Sequence, residues 1–385
     1  MYVRLGEICD FQSGGTPSKN NQKFFGGDIP WITTVALNGS GIDGSDAVNW
    51  ITEDAIKQSA AKIVPANSIM IGTRVGVGKV AINLVDMSTS QDVVSLIGID
   101  GTRWCKEYLC KCLTGKSQYL NSQARGATIK GIKIDTLANL KIPEIPIEKQ
   151  YEVSRIIDKT RIIIEQRKQE LTNLDELMKA RFVEMFGTLD TPTQAFEKAT
   201  LKELCNKITD GKHGGCKSEV GTERYFVGAR EIYDDDVHYE SAPEINIEEF
   251  EKDYKRCNVE TGDFLIVNTG ATIGKSAIAC DKRTEHTLLQ KSVALLKVKK
   301  DVLNPIFLKW CYRVNTKMYM VENASAQPNL LLSKINATVI YVPDIELQNQ
   351  FADFVHQVDK SKVAVQKALD EAQQLFDSLM QEYFG

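Results

Sequence analysis

The sequence predicts an α+β protein. Two similar mixed α/β units, related by an approximate two-fold, are separated by two long antiparallel helices that form a coiled coil. The first observation is an internal repeat: Leu5-Gly6-Glu7-Ile8-Cys9 returns as Leu201-Lys202-Glu203-Leu204-Cys205, and residues 72–82 return at the same offset as 268–278. The second is that each copy is followed by a long stretch without proline or glycine, at 147–186 and 346–384.

The two repeated units are predicted over residues 1–147 and 188–345. Short apolar runs bounded by turn formers, such as 68–71, 80–82 and 93–97, indicate strands. Helices are predicted over 104–121 and over the equivalent 304–321. Residues 187–194 form the predicted linker into the second unit.

The long helices are predicted over 148–187 and 346–385, each about 58 Å long at 1.5 Å per residue. The second carries an apolar seam in steps of four and three, interrupted by one lysine: Phe351, Val355, Val358, Lys362, Val365, Leu369, Ala372, Phe376, Leu379 and Tyr383. The first shows a similar seam with poorer register: Val153, Ile157, Thr160, Ile164, Arg167, Leu171, Leu174, Met178 and Met185. The two helices most economically pair with each other, and a homodimeric coiled coil is the alternative.

Composition excludes several classes of protein. No apolar stretch approaches twenty residues, so we expect no membrane span, and the N-terminus lacks the build of a signal peptide. The nine cysteines form no Cys-x-x-Cys pair and there are only four histidines, so we expect no metal site. We expect a cytoplasmic protein with mostly buried thiols.

The net charge of −4 hides basic zones that recur in both copies. Residues 101–141 contain eight basic and two acidic residues, and residues 271–321 contain ten basic and three acidic ones. Such recurrence is typical of a phosphate-binding surface, although solvated surface charge is the alternative. Lys79 and Lys275 each follow a glycine in a predicted hairpin, where the side chain either approaches a phosphate or is simply exposed.

Known catalytic and nucleotide-binding motifs are not matched. Residues 76–81 lack the following helix of a dinucleotide fingerprint, and 270–276 are one residue short of a P-loop. The chain has no Pro-Pro dipeptide, which the catalytic motif of amino-methyltransferases requires, and no Ser-His-Asp or Cys-His arrangement. We therefore expect a non-catalytic protein.

Several segments together resemble the specificity subunits of type I restriction–modification systems. Residues 13–19 (Ser-Gly-Gly-Thr-Pro-Ser-Lys) with 27–31, and 208–214 in the second copy, are similar to the openings of that family's target-recognition domains. Residues 262–275 are similar to its central signature and 327–330 to its late loop. The two copies differ in sequence between 126–130 and the equivalent 326–330, and between 65–68 and the equivalent 261–264. This divergence implies that the two domains read different half-sites.

The resemblance implies a sequence-specific reader of double-stranded DNA with a bipartite, asymmetric target. It implies target-recognition domains at 1–147 and 188–345, and long spacer helices at 148–187 and 346–385. The implied partners are two methyltransferase subunits and helicase-nuclease restriction subunits, with no membrane. This chain would bind no cofactor itself, whereas the assembled complex would use S-adenosylmethionine and ATP with magnesium.

The expected DNA-binding residues lie in equivalent segments of the two copies. Phosphate contacts are predicted for the basic residues Lys19, Arg74, Lys79, Arg125, Lys130, Lys212, Arg230, Lys275 and Lys334. Base-edge contacts are predicted for the polar residues Thr16, Thr128, Gln327 and Asn329. A coiled-coil scaffold that binds only proteins is the alternative function, and a self-sufficient nuclease is a third.

Overall fold

The computed structural model describes residues 1–39, 41–126, 131–319 and 329–384. The chain divides into two compact units. Unit 1 comprises Met1–Lys168 with Gln366–Gly385, and unit 2 comprises Gln169–Val365. Each unit therefore contains one repeat together with one part of each long helix.

Unit 1 begins with the strand-rich repeat. Its strands are β1 (Tyr2–Arg4), β2 (Asp10–Ser13), β3 (Phe25–Ile32), β4 (Gly41–Ile42), β5 (Asn49–Ile51), β6 (Ile63–Val64), β7 (Ile69–Gly72), β8 (Val80–Asn83), β9 (Met87–Thr89), β10 (Val93–Ile97) and β11 (Lys141–Pro143). Its helices are α1 (Glu53–Gln58), α2 (Lys106–Gly115), α3 (Ser117–Gln123) and α4 (Ile134–Ala138), and the long α5 (Ile147–Phe186) follows.

Unit 2 follows with a matching set. Its strands are β12 (Glu197–Thr200), β13 (Cys205–Asp210), β14 (Tyr225–Val227), β15 (Ile232–Tyr233), β16 (Asp236–Val237), β17 (Phe264–Val267), β18 (Ser276–Ile278), β19 (Thr287–Leu289), β20 (Val293–Val298) and β21 (Val339–Val342). Its helices are α6 (Leu201–Leu204), α7 (Ile247–Cys257), α8 (Pro305–Val314) and α9 (Leu332–Ala337), followed by the long α10 (Ile345–Phe384).

The two units share one sheet topology. In unit 1 the strand order β2-β10-β7-β8 continues to β4, and in unit 2 the same order appears as β13-β20-β17-β18. A parallel pair accompanies each sheet, β3 with β9 and β14 with β19. An antiparallel pair joins the start and end of each repeat, β1 with β11 and β12 with β21. The predicted internal repeat is therefore confirmed at the level of strand pairing.

The central hairpin differs in length between the units. The amide of Gly72 donates to the carbonyl of Lys79, and the amide of Val267 donates to that of Lys275. The turn is thus 73–78 in unit 1 and 268–274 in unit 2, one residue longer. Consequently Thr73 is equivalent to Asn268, although the sequence alignment pairs it with Thr269.

The long helices contribute to the core of each unit. In unit 1, Val153 and Ile157 of α5 belong to the same buried cluster as Phe384 of α10. In unit 2, Phe182 of α5 is fully buried against Phe351 of α10, with ring centroids 5.3 Å apart. The start of α5 thus packs with the end of α10 in one unit, and its end packs with the start of α10 in the other. This antiparallel pairing within the chain is the arrangement that the sequence predicts.

The seam predicted for α10 is confirmed, because each of its ten positions is buried or half-buried. Lys362, the charged member, pairs with Asp175 of α5 at 2.8 Å. The seam predicted for α5 omits Phe182, although this ring has no exposed surface. Its neighbour Phe186 lies 5.1 Å away between ring centroids, so the end of α5 is held by an aromatic cluster.

Most thiols are buried, as the composition indicates: Cys280 is exposed and Cys216 half-buried, whereas the other seven cysteines lie in the interior. Within the described residues, no helix has both the length and the apolar character needed to cross a membrane.

Candidate nucleic-acid interface

In unit 2, four loops meet at the end of the sheet where the central strand β20 begins. We call this group the unit 2 loop cluster: it comprises 211–214 after β13, 268–269 after β17, 290–292 before β20, and 329–330. Backbone hydrogen bonds join the loops: the amide of Lys212 donates to Leu289 (2.7 Å), that of Asn268 to Ser292 (2.9 Å) and that of Leu330 to Asn268 (2.7 Å). The backbone of these loops is therefore held in place by the sheet.

Unit 1 forms the same cluster from equivalent segments, namely 14–16, 73–74, 90–92 and 131–132, which we call the unit 1 loop cluster. The amide of Gly15 donates to Thr89 (2.9 Å), that of Thr73 to Asp92 (2.8 Å) and that of Ile132 to Thr73 (2.8 Å). Each bond has its counterpart in unit 2. One backbone frame therefore carries two different sets of side chains.

A glycine makes the close approach of these loops feasible in each unit. A Cβ on Gly14 would overlap the backbone oxygens of Thr89 and Ser90, and one on Gly211 would overlap those of Leu289 and Gln290. Residue types with a side chain would push the first loop away from the turn before the central strand. These glycines fix the frame, and the neighbouring positions are free to differ.

The loop clusters line open, polar depressions. The depression in unit 2 has a volume of about 380 Å³ and is lined by polar side chains and one glycine: Lys212, Gly214, Thr269, Gln290, Lys291, Ser292 and Asn329. In unit 1 Arg74 borders two depressions, of about 930 Å³ and about 650 Å³. Lys79 lines the first of these and Arg125 the second. Thr16 and Lys19 line a smaller one of about 320 Å³ beside Trp31.

The predicted phosphate contacts fall into two groups by their electrostatic surroundings. The first group is exposed, and within the described part of the chain no carboxylate oxygen lies within 4 Å of its side-chain nitrogens. It comprises Lys19, Lys79, Arg125, Arg230 and Lys275. Arg74 and Lys212 form a second group, because each lies beside an acidic side chain. Lys334 is exposed on α9.

The second group is paired internally. The guanidinium of Arg74 lies 3.8 Å from the carboxylate of Asp92. The ammonium of Lys212 lies 2.7 Å from Asp253 and 3.5 Å from Glu249, both on α7, and its side chain is only 19% exposed. The hydrogen bond to Asp253 raises the pKa of Lys212. The charge of Lys212 is thus compensated within the protein.

Two of the predicted base-contacting residues lie in the described loop clusters. Thr16 is exposed, and its hydroxyl accepts a hydrogen bond from the amide of Gln91 at 3.4 Å. Asn329 is exposed, and its side-chain oxygen accepts from the hydroxyl of Thr269 at 3.3 Å. Thr128, Lys130 and Gln327 lie outside the described residues.

The sequence prediction omitted the turn that precedes the central strand. It contributes Gln290, Lys291 and Ser292 to the depression in unit 2, and its unit 1 equivalent contains Asp92. A signal was available in the sequence. In each copy a polar run that ends in 90–92 or 290–292 directly precedes the apolar central strand, and a polar turn at the end of a central strand is a natural place for contact residues.

The basic zones counted along the sequence are partly neutralised by folding. In unit 2, Lys297 pairs with Asp263 (2.8 Å) and Arg313 with Asp235 (2.6 Å). In unit 1, Lys111 pairs with Asp158 (2.9 Å). The positive charge that remains available to a phosphate, such as that of Arg125 and Lys275, is therefore smaller than the number of basic residues suggests. A count along the sequence overestimates it.

Neither loop cluster resembles a metal centre. Across the described residues, histidine, cysteine and carboxylate side chains form no group of three or more that could hold a metal ion. Besides the carboxylate of Asp92, the loops present amide, hydroxyl, ammonium and guanidinium groups. These are the groups that contact phosphates and base edges in protein–DNA interfaces.

Comparison with known proteins agrees with this geometry. A family model described as "Type I restriction modification DNA specificity domain" matches residues 1–173 and 194–372. The chain is 24% identical over 405 aligned residues to the type I restriction enzyme MjaIX specificity subunit of Methanocaldococcus jannaschii, covering 98% of this chain and 90% of that protein. It is 32% identical over 165 residues to the EcoR124I/EcoR124II specificity subunit of Escherichia coli, covering 41% and 40% of the two chains.

Solved structures share the fold. The type I restriction–modification S subunit from M. genitalium superposes with a TM-score of 0.60 at 15% identity, covering 100% of this chain and 96% of that one. A chain solved in work on complex assembly and conformational transition of the type I system superposes with a TM-score of 0.63 at 17% identity, covering 100% and 97%.

Proposed function

The chain belongs to the family of type I restriction–modification DNA specificity subunits, and from this premise we propose that it reads a bipartite, asymmetric target in double-stranded DNA. Each loop cluster would contact one half-site, and the base pairs between the half-sites would not be read. The chain is a DNA-recognition subunit of a restriction–modification complex and not an enzyme in its own right.

One observation carries the proposal of an asymmetric target. The two loop clusters have the same hydrogen-bonded frame, yet their side chains differ at equivalent positions. Arg74 of unit 1 corresponds to Thr269 of unit 2, Asp92 to Ser292, and Gly131 to Asn329. Because base identity is read by the hydrogen-bonding groups of side chains, different groups on one frame favour two different half-site sequences.

The gap between the half-sites would depend on the two 40-residue helices α5 and α10. At 1.5 Å per residue each is about 60 Å long. With one base pair per 3.4 Å, the helices set an upper limit of about 17 base pairs for the gap. The limit applies if the helices act as the spacer.

The chemistry would come from partner subunits. We infer that two methyltransferase subunits, using S-adenosylmethionine, modify the target, and that restriction subunits use ATP with magnesium. The exposed faces of α5 and α10 would serve these partners. Family membership supports this assignment at the level of a multisubunit complex, and the identity of each partner remains part of the proposal.

Methylation mapping tests the proposed function. The chain would be co-expressed with the proposed methyltransferase subunit in a host without adenine methylation, and methylated adenines would be mapped across the genome. We expect one motif with two short parts of defined sequence, separated by a gap of fixed length and undefined sequence. Cells expressing the methyltransferase alone serve as the control and should show no motif.

Two results would refute the proposal. A continuous motif would exclude two separated half-sites. Absence of any motif, together with no salt-dependent retention of DNA by the purified chain, would favour a scaffold that binds only proteins.

A further inference from the structure

We propose that Arg74 reads a guanine in the half-site contacted by unit 1, and that Asp92 is a positioning residue that orients its guanidinium. This inference rests on the proposed function and makes it more specific. It also replaces the prediction that Arg74 contacts a phosphate.

The backbone that carries Arg74 is held on both sides. The amide and the hydroxyl of Thr73 both donate to the carbonyl of Asp92, at 2.8 and 3.2 Å, and the carbonyl of Thr73 accepts from the amide of Ile132 at 2.8 Å. The adjacent Gly131 packs against Arg74: a Cβ there would lie 3.1 Å from the Arg74 Cγ atom. The start of this side chain is therefore fixed, as a base-reading residue requires.

The outer part of the side chain remains available to a ligand. Half of the Arg74 side chain is exposed (50%), and it borders the two larger depressions of unit 1. The guanidinium has five N–H donors, and an interaction with Asp92 at 3.8 Å occupies only one side of it. The remaining donors match the two acceptors, O6 and N7, on the major-groove edge of guanine.

The carboxylate of Asp92 argues against a phosphate as the ligand. It is 30% exposed beside the guanidinium, so a phosphate approaching Arg74 would also meet a negative charge. A base edge carries no net charge and is not repelled in this way. An exposed ion pair contributes little to stability, so orientation of the guanidinium is the main consequence of this contact.

Comparison of the two units separates two kinds of residue. Lys79 and Lys275 occupy the same place in both hairpins and are exposed, which suits a contact with the sequence-independent backbone. Arg74 and Asp92 instead correspond to Thr269 and Ser292, so neither charge is present in unit 2. Positions that differ on an identical frame are those expected to specify bases.

The test measures base preference and affinity separately in the assembled methyltransferase complex. A set of duplexes would be used in which each base pair of the wild-type target is changed in turn. We expect Arg74→Ala to lose about ten- to a hundredfold of its discrimination at a single G·C pair of one half-site. Arg74→Lys should lose discrimination at the same pair, because an ammonium cannot form the two-pronged contact.

Asp92→Asn gives a signature that a purely structural role would not give. Removing the carboxylate should strengthen binding to all DNA while weakening discrimination at the base pair read by Arg74. Thr269→Ala, the matched change in unit 2, should alter preference only in the other half-site. Lys79→Ala should weaken binding to all sequences and leave every base preference unchanged.

Two results would overturn the inference while leaving the bipartite target intact. In the first, Arg74→Ala behaves like Lys79→Ala: its affinity falls equally for all duplexes, and discrimination is retained at every base pair. The other is a unit 1 half-site without any G·C pair. A wild-type complex with no bipartite target would instead refute the proposed function, so the two failures are distinguishable. Retention of the wild-type thermal unfolding midpoint shows that each variant is folded.

Discussion

Lys275 provides a direct test of DNA contact, because its backbone is fixed and its charge is exposed. Its carbonyl accepts from the amide of Val267 at 2.8 Å, and its amide donates to Thr272 at 3.1 Å. In the described part of the chain no carboxylate lies within 4 Å of its ammonium group. We predict that Lys275→Glu weakens binding to every DNA sequence and makes binding less sensitive to salt.

The magnitude follows from the single phosphate interaction that this substitution removes. Each phosphate neutralised on a duplex contributes about 0.9 to the slope of log K against log salt concentration. A single exposed lysine offers one such interaction, so the slope should become shallower by about 0.9. Between 50 and 200 mM salt, wild-type affinity should therefore fall about 3.5 times more than that of the variant.

The assay is fluorescence anisotropy of a labelled duplex with the complex of this chain and its methyltransferase partner, at several salt concentrations. Lys202→Glu is the matched control, because it makes the same charge change far from the unit 2 loop cluster. Lys202 precedes β13, whereas the loop cluster follows the end of that strand. That six-residue strand spans about 20 Å. The control should leave the slope almost unchanged.

A slope for Lys275→Glu equal to that of the control would refute the reasoning and remove this lysine from the interface. Loss of affinity for the cognate duplex alone would also contradict it, because that pattern indicates contact with a base.

Further predictions concern the helices and the stability of unit 2. Removing one heptad from both long helices, about 10 Å of each, should shorten the undefined gap in the methylated motif by about three base pairs; an unchanged gap would show that the helices do not set it. Phe182→Ala should lower the unfolding free energy of unit 2 by about 3–5 kcal/mol, measured by hydrogen exchange in urea. The neighbouring Val183→Ala, at a side chain 38% exposed, should cost less than about 1 kcal/mol, and equal effects would contradict the burial of Phe182. Hydrogen bonds from Arg283 lower the pKa of Asp281 to about 2. The ionised carboxylate therefore stabilises the fold at pH values above the ordinary pKa of aspartate, and this stabilisation is lost as the pH falls toward 2. Asp281→Asn should therefore cost about 2 kcal/mol at pH 7 and progressively less below pH 4, whereas a cost independent of pH would exclude this origin.

The sequence predicts the long helices and the duplication well, because both depend on local spacing. The ten-residue seam of α10 follows from a seven-residue repeat, which about two turns of helix already contain. The same reasoning missed Phe182 in α5, where the predicted seam passes from Met178 to Met185. Burial of Phe182 depends on Phe186 and Phe351, which are brought to it by the tertiary fold.

The loop clusters were predicted only in part, because their contacts are non-local. Glycine motifs located the loops at 14–16 and 211–214, yet the turns 90–92 and 290–292 join them only through strand pairing. Charge was harder to predict. The partner of Lys212 is Asp253 on α7, and a count along the sequence treats both as free. The extra residue of the second hairpin also shifts the alignment, which conceals that Arg74 corresponds to Thr269.

That extra residue has a consequence for how such a protein changes during evolution. The strands on both sides of the hairpin keep the same pairing in the two units, although one turn spans 73–78 and the other 268–274. Lengthening a surface loop costs little free energy, so insertions at this position are tolerated without loss of the fold. A new half-site preference is therefore accessible through a change in loop length as well as by substitution. Because the unit is duplicated, one copy can change its half-site preference while the other copy keeps its own.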